Sequence, residues 1–366
     1  MGVLNMDATR LSAEFRGAWV SSWNKGMHTP DEIDRTIDAA RTAGLNALVI
    51  EVRKAGEAYY DSEIEPKGPE VPVGFDPLAY TIEKCHAQGM QVHAWLVVYR
   101  VWKGETMPAD PKHVLAAHPD WRTISFDGKT EAEEGVYLDP GIPEYRDHFA
   151  AVCADIASRY AVDGIHYDYV RYPGEQWGYA EIALKNYMAE TGAKDKPEPD
   201  DPKWRQWKRD QVTAMVTLVR ERVKAANPDV KIQASTIPWG DCPHDFSESR
   251  SYRDVCQDWP LWMELGLIDE NCPMVYSRES EESGRNHFRG WVDGAKRWSS
   301  GRTTHIGMSV SRNTPEQMMT QIEVMRKAGL QGFVLFSFDE SPTRAAFAEG
   351  LGKLLGPARK LLVVKS

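Results

Sequence analysis

Cysteine is scarce in this chain: 366 residues hold five, at positions 85, 153, 242, 256 and 272. No two are close enough to form a CxxC pair, which argues against a thiolate zinc site. The odd count and wide spacing fit free thiols in a reducing compartment rather than a disulfide framework. Long apolar runs are also missing: none approaches the roughly 20 residues of a membrane helix. The opening MGVLNMDATRLSAEF lacks the apolar stretch of a secretion signal. The expectation is a soluble chain with no membrane partner, cytoplasmic as it stands, or exported if a signal peptide was removed. Positive charge is in deficit, with 44 Lys and Arg against 54 Asp and Glu and a net charge of −10. Such a balance repels phosphates and argues against a nucleic-acid partner. No GxGxxG follows an apolar run, and no cofactor or metal is expected.

Aromatic residues are plentiful, with 13 Trp and 14 Tyr. Many of the tryptophans fall near expected loops. Core and loop packing accounts for any one of them. As a set they point to a surface on which sugar rings stack.

The chain also repeats itself. Residues 29–53, TPDEIDRTIDAARTAGLNALVIEVR, align without a gap to 314–338, TPEQMMTQIEVMRKAGLQGFVLFSF. Each copy opens with a threonine N-cap, a proline at the first helical position, and Glu or Gln three residues after the cap. Each has an apolar helical face and a glycine, Gly44 or Gly329, suited to a left-handed cap. Each then runs into a short apolar strand. Further strands are expected at 16–23, 91–100, 163–170, 231–239, 272–277 and 304–310, mostly separated by helices. Near-continuous apolar runs are typical of parallel strands covered on both faces. Eight of them predict a (β/α)8 TIM barrel over residues 14–356, with 1–13 and 357–366 as terminal extensions. The runner-up is a doubly wound open sheet. Long loops after the strands, at 101–138, 174–201, 240–265 and 278–300, would gather on the C-terminal rim, where sites are built.

Alternation along the strands nominates the site. One face carries Glu51 and Arg53, another His93 and Tyr99, a third His166 and Asp168, a fourth Phe333, Leu335, Ser337 and Asp339. If these faces line the barrel mouth, Glu51, Arg53, Asp168 and Asp339 converge there, with His93 and His166 deeper. Each has a structural reading beside the functional one. Glu51 and Arg53 could pair, or Arg53 could pair with Asp168. The histidines read better as supporting groups than as metal ligands. Asp339 and Glu340 could cap a helix near Pro342. Asp168, within DGIHYDYVRYP, ends a mid-barrel strand, where catalytic side chains tend to sit.

That stretch resembles the fourth-strand signature of the glycosyl hydrolase-like 10 (DUF187) family. FRGAWVSS, VRKAGEAYYDSEIEP, DPLAYTIEKCHAQGMQVHAWLVVYR, VYLDPGIPEYRDH and NCPMVYS resemble its other motifs in order, from Phe15 to Asp339. Three positions depart from the pattern. Tyr169 stands where one form of the signature has a second aspartate, Glu51 replaces a glutamine, and Val97-Val98 replace Asn-Pro. The resemblance implies a TIM barrel that acts on a carbohydrate substrate; some relatives resemble peptidoglycan glycan-strand hydrolases.

Glycoside hydrolysis uses two carboxyl groups, roughly 5–5.5 Å apart for retention and roughly 6.5–9.5 Å for inversion. Asp168 is expected to be the ionised partner, held by Arg53 and Arg171. The acid is Glu51 or Asp339, with Glu57 and Glu340 in reserve. Arg53, His93, Tyr99, Arg100, His166, Arg171, Trp239 and Tyr276 are the expected substrate-binding residues. Two rivals are a sugar-binding barrel without hydrolysis and a metal-dependent hydrolase using His93, His166, Asp168 and Asp339. The first strand lacks the HxH pair common in metal-dependent barrels.

Overall fold

The computed structural model describes residues 14–357 except 105 and 342, together with 360, 361, 363 and 364. The extension expected over 1–13 lies outside the described residues. Eight strands form the core: β1 (Phe15–Val20), β2 (Ala47–Lys54), β3 (Gln91–Val97), β4 (Gly164–Asp168), β5 (Lys231–Thr236), β6 (Glu270–Pro273), β7 (Thr303–Ser309) and β8 (Gly332–Phe336). All pair in parallel with their chain neighbours, and β8 returns to β1, so the sheet closes on itself. Eight helices follow them one for one: α1 (Pro30–Thr42), α2 (Pro77–His86), α3 (Pro143–Arg159), α4 (Pro202–Ala226), α5 (Trp259–Glu264), α6 (Glu282–Arg297), α7 (Pro315–Lys327) and α8 (Arg344–Leu355). This is the (β/α)8 barrel that the strand pattern predicts. The stretch 278–300, expected as a loop, instead contains α6, and β6 stops at Pro273 rather than Ser277.

The repeated module forms helix then strand in both copies, with local differences at the caps. Thr314 and Gln317 close a reciprocal capping box at the start of α7. At α1 the Thr29 side chain accepts from Glu32 N–H, but the Glu32 carboxylate turns back to Gly26 N–H and His28 N–H, at 2.9 and 3.0 Å. It thereby ties down the loop arriving from β1. Gly44 and Gly329, at φ 75° and 77°, take the left-handed conformation that ends each helix.

Inside the ring pack Phe15, Trp19, Ala47, Val49, Trp95, Cys272 and Val334. A second, larger cluster fills the space between strands and helices. This division corrects two sequence expectations. On β8 the inward residues are Val334 and Phe336, whereas Phe333 and Leu335 face the helices. The strand ends at Phe336, so its alternation does not extend to Asp339. On β2 the register against β3 shifts between Glu51 and Arg53. An extra residue reverses the facing of the side chains after it, and Arg53 leaves the barrel mouth. Its guanidinium forks onto Glu65, with both contacts at 2.7 Å, and lies 5.3 Å above the Phe149 ring. Glu65 also takes His148 at 3.0 Å. Burial alone would push the Glu65 carboxyl up, but Arg53 and His148 hold it down, to about 2.

Arg53 and Glu65 are both fully buried, so losing one partner strands a charge. Arg53→Met is expected to cost ~3–5 kcal/mol in urea unfolding at pH 7, and Glu65→Leu in the same chain should restore most of it. A loss below about 1 kcal/mol for the single variant would contradict this assignment.

The tryptophans divide likewise. Trp204, Trp259, Trp262 and Trp291 are completely buried core residues, which corrects the reading of the whole set as a sugar surface. Trp23, at 46% exposure, and the half-buried Trp177 and Trp239 remain accessible near the C-terminal rim.

Candidate active site

A cleft of about 410 Å³ opens at the C-terminal ends of the strands, within the size range of small-ligand sites. Its wall includes Glu51 from β2, Asp168 from β4 and Ser235 from β5, with aromatic rings around them.

Glu51 is almost completely buried. One oxygen, Oε2, accepts from Ser22 N–H at 2.8 Å and from the Ser21 and Ser22 hydroxyls at 2.9 and 3.0 Å. None of these donors is charged. Burial raises the carboxyl to about 7; the serine donors, and Arg100 at longer range, offset only part of that. The expected conflict with Arg53 does not arise, because Arg53 points the other way.

Asp168 closes β4, and its Oδ1 accepts from Tyr169 N–H at 2.8 Å. Tyr169 sits at φ 52°, in the left-handed region. Burial raises the Asp168 carboxyl above its ordinary range, while the Tyr169 N–H and the guanidinium groups of Arg171 and Arg100 pull it back. Those two arginines, rather than the expected Arg53, are its cationic neighbours. Arg100 lies 4.4 Å above the Tyr169 ring and 5.3 Å from Trp23. Arg171 lies 4.8 Å from Tyr169 and pairs with Glu134 at 3.0 Å. Tyr276 stacks on Phe336 at 5.2 Å. Thus Glu51, Asp168, Arg100, Arg171, Trp239 and Tyr276 all line one cleft.

The other nominated residues stand elsewhere. His166 lies under the floor and is held neutral: Nε2 accepts from Trp19 Nε1–H at 3.0 Å and Ser235 Oγ–H at 2.8 Å, leaving Nδ1–H to donate to Gln233. Burial drives its pKa down to about 3. It therefore orients two residues of the cleft floor rather than touching a ligand in the cleft. His93 is deeper still, with Nε2 on Gln91 Oε1 at 3.1 Å and its ring edge-on to Phe15. Tyr99 is fully buried against Tyr145 on the helix side, because β3 ends at Val97 and the alternation breaks. Glu57 is raised to about 7, chiefly by burial, but lies outside the cleft wall, and Glu340 pairs with Arg35 on the surface.

Asp339 also stands outside the cleft wall. Its oxygens accept from Ser21 N–H at 2.7 Å and Asn24 Nδ2–H at 3.0 Å. It holds the loop whose serines hold Glu51. Asp339→Ala is therefore expected to lower kcat on the order of 10- to 100-fold by misplacing that carboxyl. The loosened serine donors should also move the alkaline limb of the pH–rate profile to higher pH. An unmoved limb would reduce Asp339 to a structural anchor.

Glu134, Ser21, Ser22 and Lys103 were missed from the sequence. Glu134 comes from the 101–138 loop, and only the need of Arg171 for a partner hinted at it. Its carboxyl is pushed up by burial but held low on balance by Arg171 and the Tyr137 hydroxyl. The Ser-Ser pair was visible in GAWVSS, one strand away from Glu51.

A closed parallel barrel with carboxylates and aromatic rings at its C-terminal mouth is a TIM barrel with its candidate site on the usual rim. The glycosyl hydrolase-like 10 family model matches residues 14–306, and the chain belongs to that family. The match stops short of the span to Asp339 expected from motifs. The chain is 28% identical over 292 residues to Glycosyl hydrolase YngK of Bacillus subtilis, covering 72% of this chain and 54% of that protein. It is 29% identical over 288 residues to Glycosyl hydrolase DigH of Escherichia coli, covering 71% and 61%. The matched region thus spans little more than half the length of these curated relatives. Among solved structures it is similar in fold to α-L-fucosidase isoenzyme 2 from Paenibacillus thiaminolyticus, with TM-score 0.68, 15% identity and coverage of 93% and 49%. It is similar also to the catalytic domain of β-amylase from Paenibacillus polymyxa, with TM-score 0.62, 13% identity and coverage of 96% and 100%.

Proposed function

We propose that this chain hydrolyses glycosidic bonds in a poly- or oligosaccharide with Glu51 and Asp168 as its two carboxyl groups. The observation that carries this reading is the contrast between them. Glu51 is buried among uncharged donors and keeps its proton to about pH 7. Asp168 is also raised by burial, but it has two guanidinium groups nearby, Arg171 and Arg100, which pull it back toward its ionised form. Glu51 gives its proton to the leaving oxygen as the bond from the anomeric carbon breaks. Asp168 either bonds to that carbon or takes a proton from the water that attacks it. Water supplies the new hydroxyl, and Glu51 is reprotonated at the end of the cycle. Trp23, Trp239 and Tyr276 offer rings for sugar faces, and Arg100 and Arg171 offer donors for hydroxyls.

A second reading, a barrel that binds glycans without cutting them, is favoured by Tyr169, which replaces a second aspartate beside Asp168. A panel of glycans that includes peptide-free peptidoglycan strands, assayed for new reducing ends, separates the two. Release from any member supports hydrolysis. Binding with no release throughout supports the second reading.

A further inference from the structure

A second cavity, of about 810 Å³, adjoins the cleft and shares two residues with it, Glu134 and Trp239. Its own lining includes Trp177, Gln176, Asp127 and Glu133. Most of its wall is built from two different loops, with Trp239 from a third. Residues 124–129 come from the connection after β3, and residues 174–179 from the connection after β4. Backbone hydrogen bonds stitch them together: Phe126 N–H to Gln176 O at 2.7 Å, Gly178 N–H to Ile124 O at 3.2 Å, and Tyr179 N–H to Ile124 O at 2.9 Å. From below, the Lys208 ammonium of α4 donates to the carbonyls of Glu175 and Trp177, at 2.9 and 3.1 Å. Arg205 pairs with the Glu175 carboxylate.

The Trp177 indole is therefore half buried on a backbone fixed in advance, and a ring set in place before binding loses little freedom when a ligand arrives. Fixed indoles suit ligands that present a flat face with an apolar patch. The carboxylates around it are acceptors for hydroxyl groups. A sugar ring has both features. The shared Trp239 and Glu134 set this space directly beside the cleft, within reach of a chain that lies across the carboxyl pair.

Resting on the reading of the cleft as a glycosidase site, we propose that this cavity is an outer subsite that takes further sugar units of the chain being cut. Turnover then rises with chain length.

The test uses size ladders, from two to eight sugars, of peptide-free peptidoglycan strands and of β-1,4-linked N-acetylglucosamine. For the wild type, kcat/KM is expected to rise about tenfold or more between the shortest and longest cleaved members, and Trp177→Ala should remove most of that gain. Gln176→Ala, at an exposed lining position, is a second variant that should reduce the gain without a packing change. Circular dichroism melting checks that both variants fold. A rate independent of length, or an undiminished gain in both folded variants, overturns the proposal. If the wild type cuts nothing, binding of the same ladders decides. Affinity that grows with length and loses that growth in Trp177→Ala upholds the subsite while the hydrolytic reading falls. Affinity that is flat with length, or no binding, overturns the subsite as well.

Discussion

Asp168→Asn is expected to lower kcat by roughly 10²–10⁴-fold and to leave the fold intact. Asparagine keeps the shape of the side chain and an oxygen to accept from Tyr169 N–H, which Asp168 now engages at 2.8 Å. Burial already opposes charge at this position, so a neutral side chain imposes no new desolvation cost. The substitution removes the negative charge and the electron pair that a nucleophile or base requires. Binding should persist, because Arg100, Arg171, Trp239 and Tyr276 remain. Steady-state kinetics on any cleaved glycan, with thermal melting as a control, measures both effects. A near-native kcat would remove Asp168 from the mechanism.

Glu51→Gln is expected to cost a similar 10²–10⁴-fold in kcat/KM on natural leaving groups, and much less on leaving groups that depart without protonation. Wild-type kcat/KM should fall as pH rises through about 7, where Glu51 loses its proton. That alkaline limb should vanish in the variant. Wild-type stability should fall with pH in the same direction. The folded-state pKa of Glu51 lies above its unfolded value, so the folded chain holds the proton more tightly. Stability is fully present below about pH 4.5 and is lost as pH rises toward and past 7. At pH 8 the ionised carboxylate costs the wild type up to ~3 kcal/mol, and Glu51→Gln should unfold at higher urea than wild type there. Equal stabilities at pH 8, with an alkaline limb that survives, would show that Glu51 is not the acid.

The barrel was legible in the sequence because its signals are local. Thr-Pro caps, apolar helical faces and Ala-Gly stops recur in register, and each copy of the repeat could be read without knowing its neighbours. Glu51 and Asp168 could be brought to one rim from the sequence because strand alternation is also local, and Arg100 and Arg171, just past the strand ends, were nominated as substrate-binding residues. Arg53 and Tyr99 went astray for one shared reason, whereas on β8 the inward face was read one residue out of phase within a regular strand. Alternation holds only while a strand stays regular. A bulge on β2 and an early end of β3 turned the later side chains to the helix side, and the early end of β8 left Asp339 outside its alternation. Nothing in the spacing announces such breaks. Glu134 lay beyond reach because a long loop placed it, and Trp177 could be read only as one of many loop tryptophans, its position being set by pairing between segments about fifty residues apart in the chain.

The most direct measurement sets wild type and Asp168→Asn side by side on the glycan panel, scoring new reducing ends and binding in the same samples. The expected result is release by the wild type alone, with binding by both. Release by both, or binding by both with no release from any glycan, would contradict a two-carboxylate hydrolase built on Asp168.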